Sequence, residues 1–349
     1  MRLSCGVLFL PRRIAEVGEH ARLAEAAGFD LLGFGDSQSL FQEVYVSLAL
    51  AAFHTSQARL GPAVTNPLTR HPAVTAAAIA SVNELSGGRA FLGIGTGDSA
   101  VLNLGLRPVT MDGLREYVKT LRSLWSGTPI AYRGTTARLE WVRRPAPIFL
   151  AAEGPRMLHL AGEVADGVIV GTGLLPEVIA DSLDRIHGGA RAAGRDPEAI
   201  EVWFLAKACF AESQSAALEE IKMALAASAH HAFRFTLEGK RVPAELVLPI
   251  ERLKAAYQPH AHESLGPSPN ARLVDELGLG EYLAERFAVA GTPAAVAKRI
   301  RELAALGAER LLVTAIVKGP GAFLAAWRDQ VRPALGPSPS PLPHEGGED

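Results

Sequence analysis

The chain has 349 residues and is 48% hydrophobic, which is enough material for a large core in one long α/β domain or in two domains. Its 35 basic and 37 acidic residues nearly balance, so no surface for nucleic acid or an anionic membrane is indicated, and the expected partner is a small molecule. Two cysteines exclude a disulfide framework, and the absence of a long apolar run or a signal-peptide-like start predicts a cytoplasmic protein.

Strand-like and helix-like segments alternate along most of the chain. Short apolar runs predict buried strands at residues 3–10, 31–35, 59–64, 89–94, 147–152, 167–170, 200–210 and 310–317. Helical spacing or helix-start signals follow at residues 14–27, 44–53, 72–85, 109–125, 155–165, 175–193, from 213 onward, at 292–307 and at 323–331. Eight strands, each followed by a helix, predict an α/β fold of the (β/α)8 TIM-barrel type.

Three segments depart from this alternation. Residues 130–139 read as a short surface hairpin, and residues 227–287 contain no strand signal and read as a mostly helical insertion after strand seven. Residues 336–349 form a proline-rich tail that is expected to be disordered or extended. The prediction is therefore a single barrel domain over residues 1–335, followed by the tail.

An open, doubly wound sheet is the alternative fold. Gly93, Gly95 and Gly97 suggest a dinucleotide-binding turn, but the third glycine falls one residue early and Asp98 stands in its place. The barrel is therefore the favoured fold.

The residues that follow the predicted strands are mostly small. They are Asp36, residues 65–66, 95–99 and 153–154, and the Gly-Thr-Gly of 171–173. In a barrel these strand ends meet on one face, where glycine allows a flat ligand to approach the backbone and helix N-termini favour phosphate. An extended, phosphorylated, largely planar ligand fits this set of residues.

Three motifs carry a resemblance to a known family. They are residues 61–72 (GPAVTNPLTRHP), 86–97 (SGGRAFLGIGTG) and 160–169 (LAGEVADGVI). Together they resemble the bacterial luciferase-like flavin and deazaflavin family, and most closely its coenzyme F420-dependent methylenetetrahydromethanopterin reductase branch. The resemblance covers residues 1 to about 331. It implies a TIM barrel with an insertion after strand seven, a cofactor in the barrel mouth, and hydride transfer at the cofactor ring.

The resemblance also implies site residues. Asp36 and Asp98 match acidic residues near the cofactor and substrate and are the candidate catalytic residues, although either could instead be a helix N-cap. The peptide bond between Ala63 and Val64 is expected to be cis, in a third-strand bulge that contacts the ring. The residues that match cofactor-binding positions are Ala63, Val64, Thr65, Asn66, Gly95, Thr96, Gly97, Ala152, Glu153, Gly154, Pro155, Val170 and Gly171.

One position leaves the identity of the cofactor open. Members of this branch often have serine where Glu153 stands, and a carboxylate repels a phosphate unless a cation such as Arg156 compensates. The first hypothesis is therefore an F420-dependent oxidoreductase that moves hydride to or from a small organic substrate. The alternatives are an FMN-dependent monooxygenase, which would need a flavin reductase partner, and a flavin-binding relative without turnover.

Histidines give little additional signal. His71, beside Pro72, is expected to be structural, and the pairs at 230–231 and at 260 and 262 lack partner carboxylates at metal-binding spacing. No metal site is predicted.

The second and third helices are rich in alanine, and relatives commonly dimerise through this region. Small side chains allow close approach of helices, so a homodimer is expected. The alanines expected at its interface are Ala49, Ala51, Ala52, Ala76, Ala77, Ala78 and Ala80.

Overall fold

The computed structural model describes residues 3–132, 134–258, 261, 268–315 and 319–336. Within these ranges the strands are β1 (Ser4–Phe9), β2 (Leu31–Phe34), β3 (Arg59–Pro62), β4 (Leu92–Ile94), β5 (Ile130–Tyr132), β6 (Thr135–Ala137), β7 (Ile148–Ala152), β8 (Gly167–Val170), β9 (Glu201–Phe210), β10 (Ala288–Gly291) and β11 (Arg310–Ala315).

The helices in the same ranges are α1 (Val17–Ala26), α2 (Val44–His54), α3 (Pro72–Leu85), α4 (Ser99–Leu102), α5 (Met111–Trp125), α6 (Pro155–Val164), α7 (Pro176–Ala192), α8 (Gln214–Phe233), α9 (Val247–Ala256), α10 (Pro269–Glu276), α11 (Gly280–Phe287), α12 (Pro293–Ala305), α13 (Pro320–Ala326) and α14 (Arg332–Leu335). A π-helical turn, Trp327–Val331, joins the last two.

Eight parallel strands form a barrel. Their order is β3-β2-β1-β11-β9-β8-β7-β4, and bridges from Leu60 to Ala90 and from Thr65 to Ile94 join β3 to β4 and close the ring. The predicted TIM barrel is confirmed, and the open-sheet alternative is wrong. All eight predicted strands are present, whereas β10, a parallel neighbour of the end of β9, was not predicted because four residues carry almost no periodic signal.

Side chains alternate between two hydrophobic layers. Leu31, Phe91, Phe149, Trp203 and Leu312 point into the barrel and fill it with one cluster. Their sequence neighbours point outward into a larger cluster beneath the helices. This alternation follows from the two-residue period of a strand, and it decides which residues near each strand end face the barrel mouth.

Between β9 and β10, the described residues form helices and their connections without a strand, as predicted. The second half of α8 and helices α9 to α11 enclose a cluster of their own, which includes Ile221, Phe233, Ile250, Leu283 and Phe287. The predicted hairpin is the antiparallel pair β5–β6. The proline-rich segment after residue 336, and the pair His260 and His262, lie outside the described residues.

Further features of the described residues bear on function. Among them, no helix is both long and apolar enough to cross a membrane. They contain no group of three or more histidine, cysteine or acidic side chains placed to hold a metal ion. The thiols of Cys5 and Cys209 are free and buried. His71 is structural, as expected, because its Nδ1 accepts a hydrogen bond of 3.1 Å from the backbone nitrogen of Ala73 at the start of α3.

Candidate active site

A cavity opens at the carboxyl ends of the barrel strands. All eight barrel strands, or the residues directly after them, contribute to its lining, as does the end of α8. Of the predicted site residues, the structure brings together in this lining Asp36, Ala63, Val64, Thr65, Asn66, Gly95, Thr96, Gly97, Asp98, Glu153 and Gly171.

Four predicted cofactor-binding residues are not part of this lining. Ala152 and Val170 are buried beneath the helices, because strand alternation turns Ala151 and Ile169 toward the cavity instead. Gly154 is the N-cap residue of α6, and Pro155 begins that helix and lines a separate small pocket. The resemblance pointed to strand ends that border the cavity, but it did not distinguish side chains that face the cavity from those that face the helices.

The segment after β3 forms one wall of the cavity. The peptide bond between Ala63 and Val64 is cis, as predicted. The backbone nitrogen of Ala63 donates to Phe34 O at 2.8 Å, and that of Thr65 donates to Gly93 O at 3.0 Å, so both neighbouring strands hold the segment.

Glycine keeps the adjacent wall open. A Cβ atom added to Gly95 would lie 3.3 Å from Val64 and 3.4 Å from Ala151, within the space above these two side chains. Gly97 has φ +106°, a conformation that favours glycine. The walls formed by β3 and β4 are therefore small and largely apolar, and they suit one face of a flat ring.

Asp36 is held by the loop that follows β3. Its carboxylate accepts a hydrogen bond of 2.6 Å from Thr65 Oγ1 and pairs with Arg70 at 2.5 Å. Arg70 also contacts Glu43, which is the N-cap residue of α2. Asp36 is therefore not the helix N-cap that the sequence allowed, and it fixes the position of the loop beside the cavity.

Asp98 precedes α4 but does not cap it with its side chain. Its carboxylate instead contacts His231 Nε2 at 2.5 Å and Arg234 Nη1 at 2.6 Å. Both partners come from the end of α8 and also line the cavity. Asp98 therefore ties the helical insertion to the end of β4.

His231 lies between two carboxylates. Its Nε2 faces Asp98, and its Nδ1 is 3.7 Å from Glu153 Oε1. Burial lowers the pKa of His231, but Asp98 and Glu153 raise it against a smaller opposing effect of Arg234, and the net pKa lies above the ordinary value. The cavity wall thus contains a histidine that holds its proton more strongly than an isolated one.

This geometry predicts how stability depends on pH. Because the pKa of His231 is raised in the folded state, its contribution is fully present below the unfolded value, near 6.5, and is lost as the pH rises through the folded pKa. We expect the wild-type protein to be more stable than His231→Gln at low pH, by a margin that shrinks as the pH rises. Urea unfolding of both proteins between about pH 5.5 and 8.5 measures this margin. A margin that grows with pH would contradict it.

Glu153 is close to cations other than Arg156, which is exposed. Besides His231, Glu153 interacts electrostatically with Lys240. Lys240 lies beside Gly154, the next residue in the chain, because its Nζ is 3.6 Å from the position that a Cβ atom of residue 154 would take. Burial lowers the pKa of Lys240 to about 8, although Glu153 opposes the shift. His231 and Lys240 are therefore the groups that compensate the carboxylate.

Several residues of the cavity lining were missed in the sequence. His231 and Arg234 lie on the insertion, and no sequence spacing connects them to the strand ends. Lys207 and Thr314 lie on β9 and β11. The one available signal was Lys207, a charged residue within the apolar strand β9 and two residues after Leu205. Charged side chains are rarely buried without a reason, so a lysine in such a strand indicates a functional role.

The residues present fit a flat, phosphorylated cofactor of the flavin or deazaflavin type. Ala63, Val64 and Gly95 offer space for a ring. A side chain at position 95 would fill the space beside Val64, and glycine leaves it open. Arg234 and Lys240 supply positive charge beside the cavity.

Comparisons with known proteins agree with this geometry. The luciferase-like monooxygenase family matches residues 5–310. A 5,10-methylenetetrahydromethanopterin reductase of Methanolobus tindarius is 31% identical over 91% of this chain and 94% of its own. An F420-dependent glucose-6-phosphate dehydrogenase of Kineococcus radiotolerans is 29% identical over 94% of each chain.

A solved structure gives the same result. The coenzyme F420-dependent tetrahydromethanopterin reductase of Methanopyrus kandleri superposes with a TM-score of 0.75 and 26% identity, over 96% of this chain and all of that one. The family match covers nearly the whole barrel, and the relatives align over nearly their full length. The chain therefore belongs to the luciferase-like monooxygenase family.

Proposed function

We propose that the protein is an F420-dependent oxidoreductase that transfers hydride between the deazaflavin and a small organic substrate. The observation that carries this proposal is the cavity, which has a small apolar wall from β3 and β4 and a charged wall from α8. The 5,10-methylenetetrahydromethanopterin reductase and the F420-dependent glucose-6-phosphate dehydrogenase compared above each align over about nine-tenths of the chain. Bound F420 would supply a hydride donor or acceptor.

The chain's own residues would bind the ring, bind the phosphate and transfer the proton. Ala63, Val64 and Gly95 would contact the ring, with Thr65, Asn66, Thr96 and Gly97 beside it. Gly171 and Glu153 lie toward the cations that would face the phosphate. Asp98 would hold His231, so that the histidine can supply or accept the proton that accompanies hydride transfer.

Binding spectra test the proposal. We expect the purified protein to quench the fluorescence of oxidised F420 in a saturable way and to bind FMN more weakly. Reduced F420, offered anaerobically with candidate substrates such as a methylenetetrahydropterin or a sugar phosphate, should be oxidised only when the substrate is correct. Saturable binding of FMN without binding of F420 would overturn the proposal.

The same experiment separates the alternatives. An FMN-dependent monooxygenase would bind reduced FMN and consume oxygen when a flavin reductase is added. A relative without turnover would bind F420, but none of the candidate substrates would cause oxidation of reduced F420. The identity of the substrate is left to this screen.

Glu153→Ser is expected to tighten F420 binding. It removes a carboxylate that interacts with Lys240, so that this cation becomes available to the phosphate, and the new hydroxyl can donate to it. The gain should be up to about 100-fold in Kd, measured by fluorescence titration. Glu153→Gln is the matched control, since it removes the charge without adding the hydroxyl. Unchanged or weaker affinity in both variants would show that Glu153 does not oppose the cofactor.

We also propose that the protein is a homodimer through α2 and α3. Val46 and Phe53 on α2 are 51% and 72% exposed and lie seven residues apart on one face. Val74 and Leu85 on α3 are 55% and 49% exposed and lie eleven residues apart, also on one face. These side chains form an apolar surface over two neighbouring helices, which a partner would cover.

The structure corrects the alanines assigned to this interface. Ala51, Ala52, Ala76 and Ala80 are buried within the chain itself, because they face the barrel, and they cannot contact a partner. Ala49, Ala77 and Ala78 are partly exposed and stay in the proposed interface.

Phe53→Asp should convert the dimer into a monomer, because it places a charge in the most exposed apolar position of the surface. Sedimentation velocity at micromolar concentration measures the change. Leu306→Asp, at an exposed leucine after α12, is the matched control and should stay dimeric. A monomeric wild-type protein would contradict the proposal.

We also propose a cytoplasmic location, on the basis of the two cysteines. Two buried free thiols and no disulfide among the described residues are consistent with a reducing compartment.

A further inference from the structure

Lys207 and Thr314 are paired across adjacent barrel strands. They are register partners in the parallel pair β9–β11, and both line the cavity. Lys207 follows Trp203 and Leu205 in the row of β9 side chains that point into the barrel, and Thr314 follows Leu312 in the corresponding row of β11. The two polar groups therefore lie side by side at the top of the barrel interior.

Both residues are almost fully buried. Lys207 is 5% exposed and Thr314 is 2% exposed. Within the part of the chain that the structure describes, Thr314 Oγ1 has no hydrogen-bond partner. A buried hydroxyl without a partner is costly, so its presence in the cavity wall indicates that something else binds to it.

The pair faces the wall on which the cofactor ring is proposed to lie. In the ring of eight strands, β9 is four strands from β3 in either direction, so it stands across the barrel from Ala63 and Val64. Two neighbours of the pair are apolar: Leu8 is the register partner of Thr314 on β1, and Leu205 lies two residues before Lys207 on the same face of β9. A molecule between the two walls would meet a flat apolar surface on one side and an ammonium with a hydroxyl on the other.

We infer that Lys207 and Thr314 bind an oxygen of the substrate, on the carbon that gives or receives hydride. The substrate class is then a carbonyl compound in the direction of reduction and the corresponding alcohol in the direction of oxidation. Lys207 Nζ and Thr314 Oγ1 donate hydrogen bonds to this oxygen. In the direction of reduction, reduced F420 would supply the hydride to the carbon and His231 would supply the proton to the oxygen; oxidation of the alcohol would return both. The ammonium of Lys207 would stabilise the negative charge that develops on the oxygen, and such an interaction is strong where water is excluded. This inference rests on the proposed function, because it needs the ring on the opposite wall.

A stability measurement tests the first step. Thr314→Val keeps the shape of the side chain and removes a hydroxyl that lacks a partner, so it should raise Tm by about 2 °C. A lower Tm would show that the hydroxyl is bonded within the protein, and it would overturn the inference. The readout needs neither cofactor nor substrate.

Ligand binding tests the second step. The probes are cyclohexanone and methylenecyclohexane, which have nearly the same shape and differ in the carbonyl oxygen. Saturation-transfer NMR on the full chain, with oxidised F420 bound and without it, measures their relative affinity. Wild type should prefer the ketone by about tenfold, and Lys207→Met with Thr314→Val should remove the preference. Lys119→Met, an exposed lysine on α5, loses the same charge and should keep it.

The outcomes separate this inference from the proposed function. If wild type does not bind F420, the proposed function fails, and the ketone preference is still measured on the protein alone. If F420 binds but wild type does not prefer the ketone, the inference is overturned. If the double variant loses F420 affinity, the pair contacts the cofactor instead of the substrate, which also overturns it.

Discussion

With Asp98 replaced by asparagine, the protein is expected to turn over F420 and its substrate about two to four orders of magnitude more slowly. Asparagine keeps the shape of the side chain but removes the charge between His231 and Arg234. Two cations would then lie side by side without their shared carboxylate, and the pKa of His231 would fall because Asp98 raises it in the wild type. The histidine would no longer hold its proton for the reaction.

Two readouts separate this role from a structural one. Single-turnover oxidation of reduced F420 gives the rate, and an NMR titration of the His231 ring gives its pKa. Asp112→Asn changes an exposed carboxylate on α5 and should leave both unchanged. A slower rate with an unchanged pKa of His231 would contradict the proposed coupling.

Arg286→Met is expected to lower the free energy of unfolding by about 3 kcal/mol or more. Arg286 is fully buried on α11. It donates hydrogen bonds to the carbonyls of Thr172, Lys240 and Arg241 and to the hydroxyl of Tyr282, at 2.7 to 3.3 Å. Methionine fills similar volume but leaves these acceptors unpaired, and each buried acceptor left unpaired is costly.

The effect should be visible in function as well, because Arg286 joins the loop after β8 to the insertion. Urea unfolding measures the loss of stability, and Arg252→Met, an exposed arginine on α9, is the control and should change it little. A loss equal to that of the control would show that the insertion does not depend on this contact. F420 affinity should fall in Arg286→Met, since Gly171 precedes the loop that Arg286 holds.

The sequence predicted the barrel because its signals are local. Strands such as β1, β8 and β11 are short apolar runs that end at glycine, proline or polar residues, and proline fixes the starts of α3 and α6. The β10 strand was missed because its pairing with β9 is decided by tertiary contacts and not by its four residues.

The site was predictable only in part, for the same reason. Asp36 and residues 95–98 could be placed beside the cavity from the sequence, because each directly follows a predicted strand and position after a strand is a local property. Ala152 and Val170 were matched to the cofactor, but their side chains face the helices and those of Ala151 and Ile169 line the cavity, because one residue of offset reverses a side chain's direction. His231 and Arg234 reach the cavity only through the folding of the insertion, which no local pattern encodes.

The most direct test of the account is a crystal structure of the protein with oxidised F420. We predict that the ring lies in the cavity with one face against Ala63 and Val64 and its edge beside Gly95. The phosphate should lie toward Arg234 and Lys240, and the space in front of Lys207 and Thr314 should stay open for the substrate. F420 bound outside this cavity, or with its ring against Lys207 and Thr314, would contradict the account.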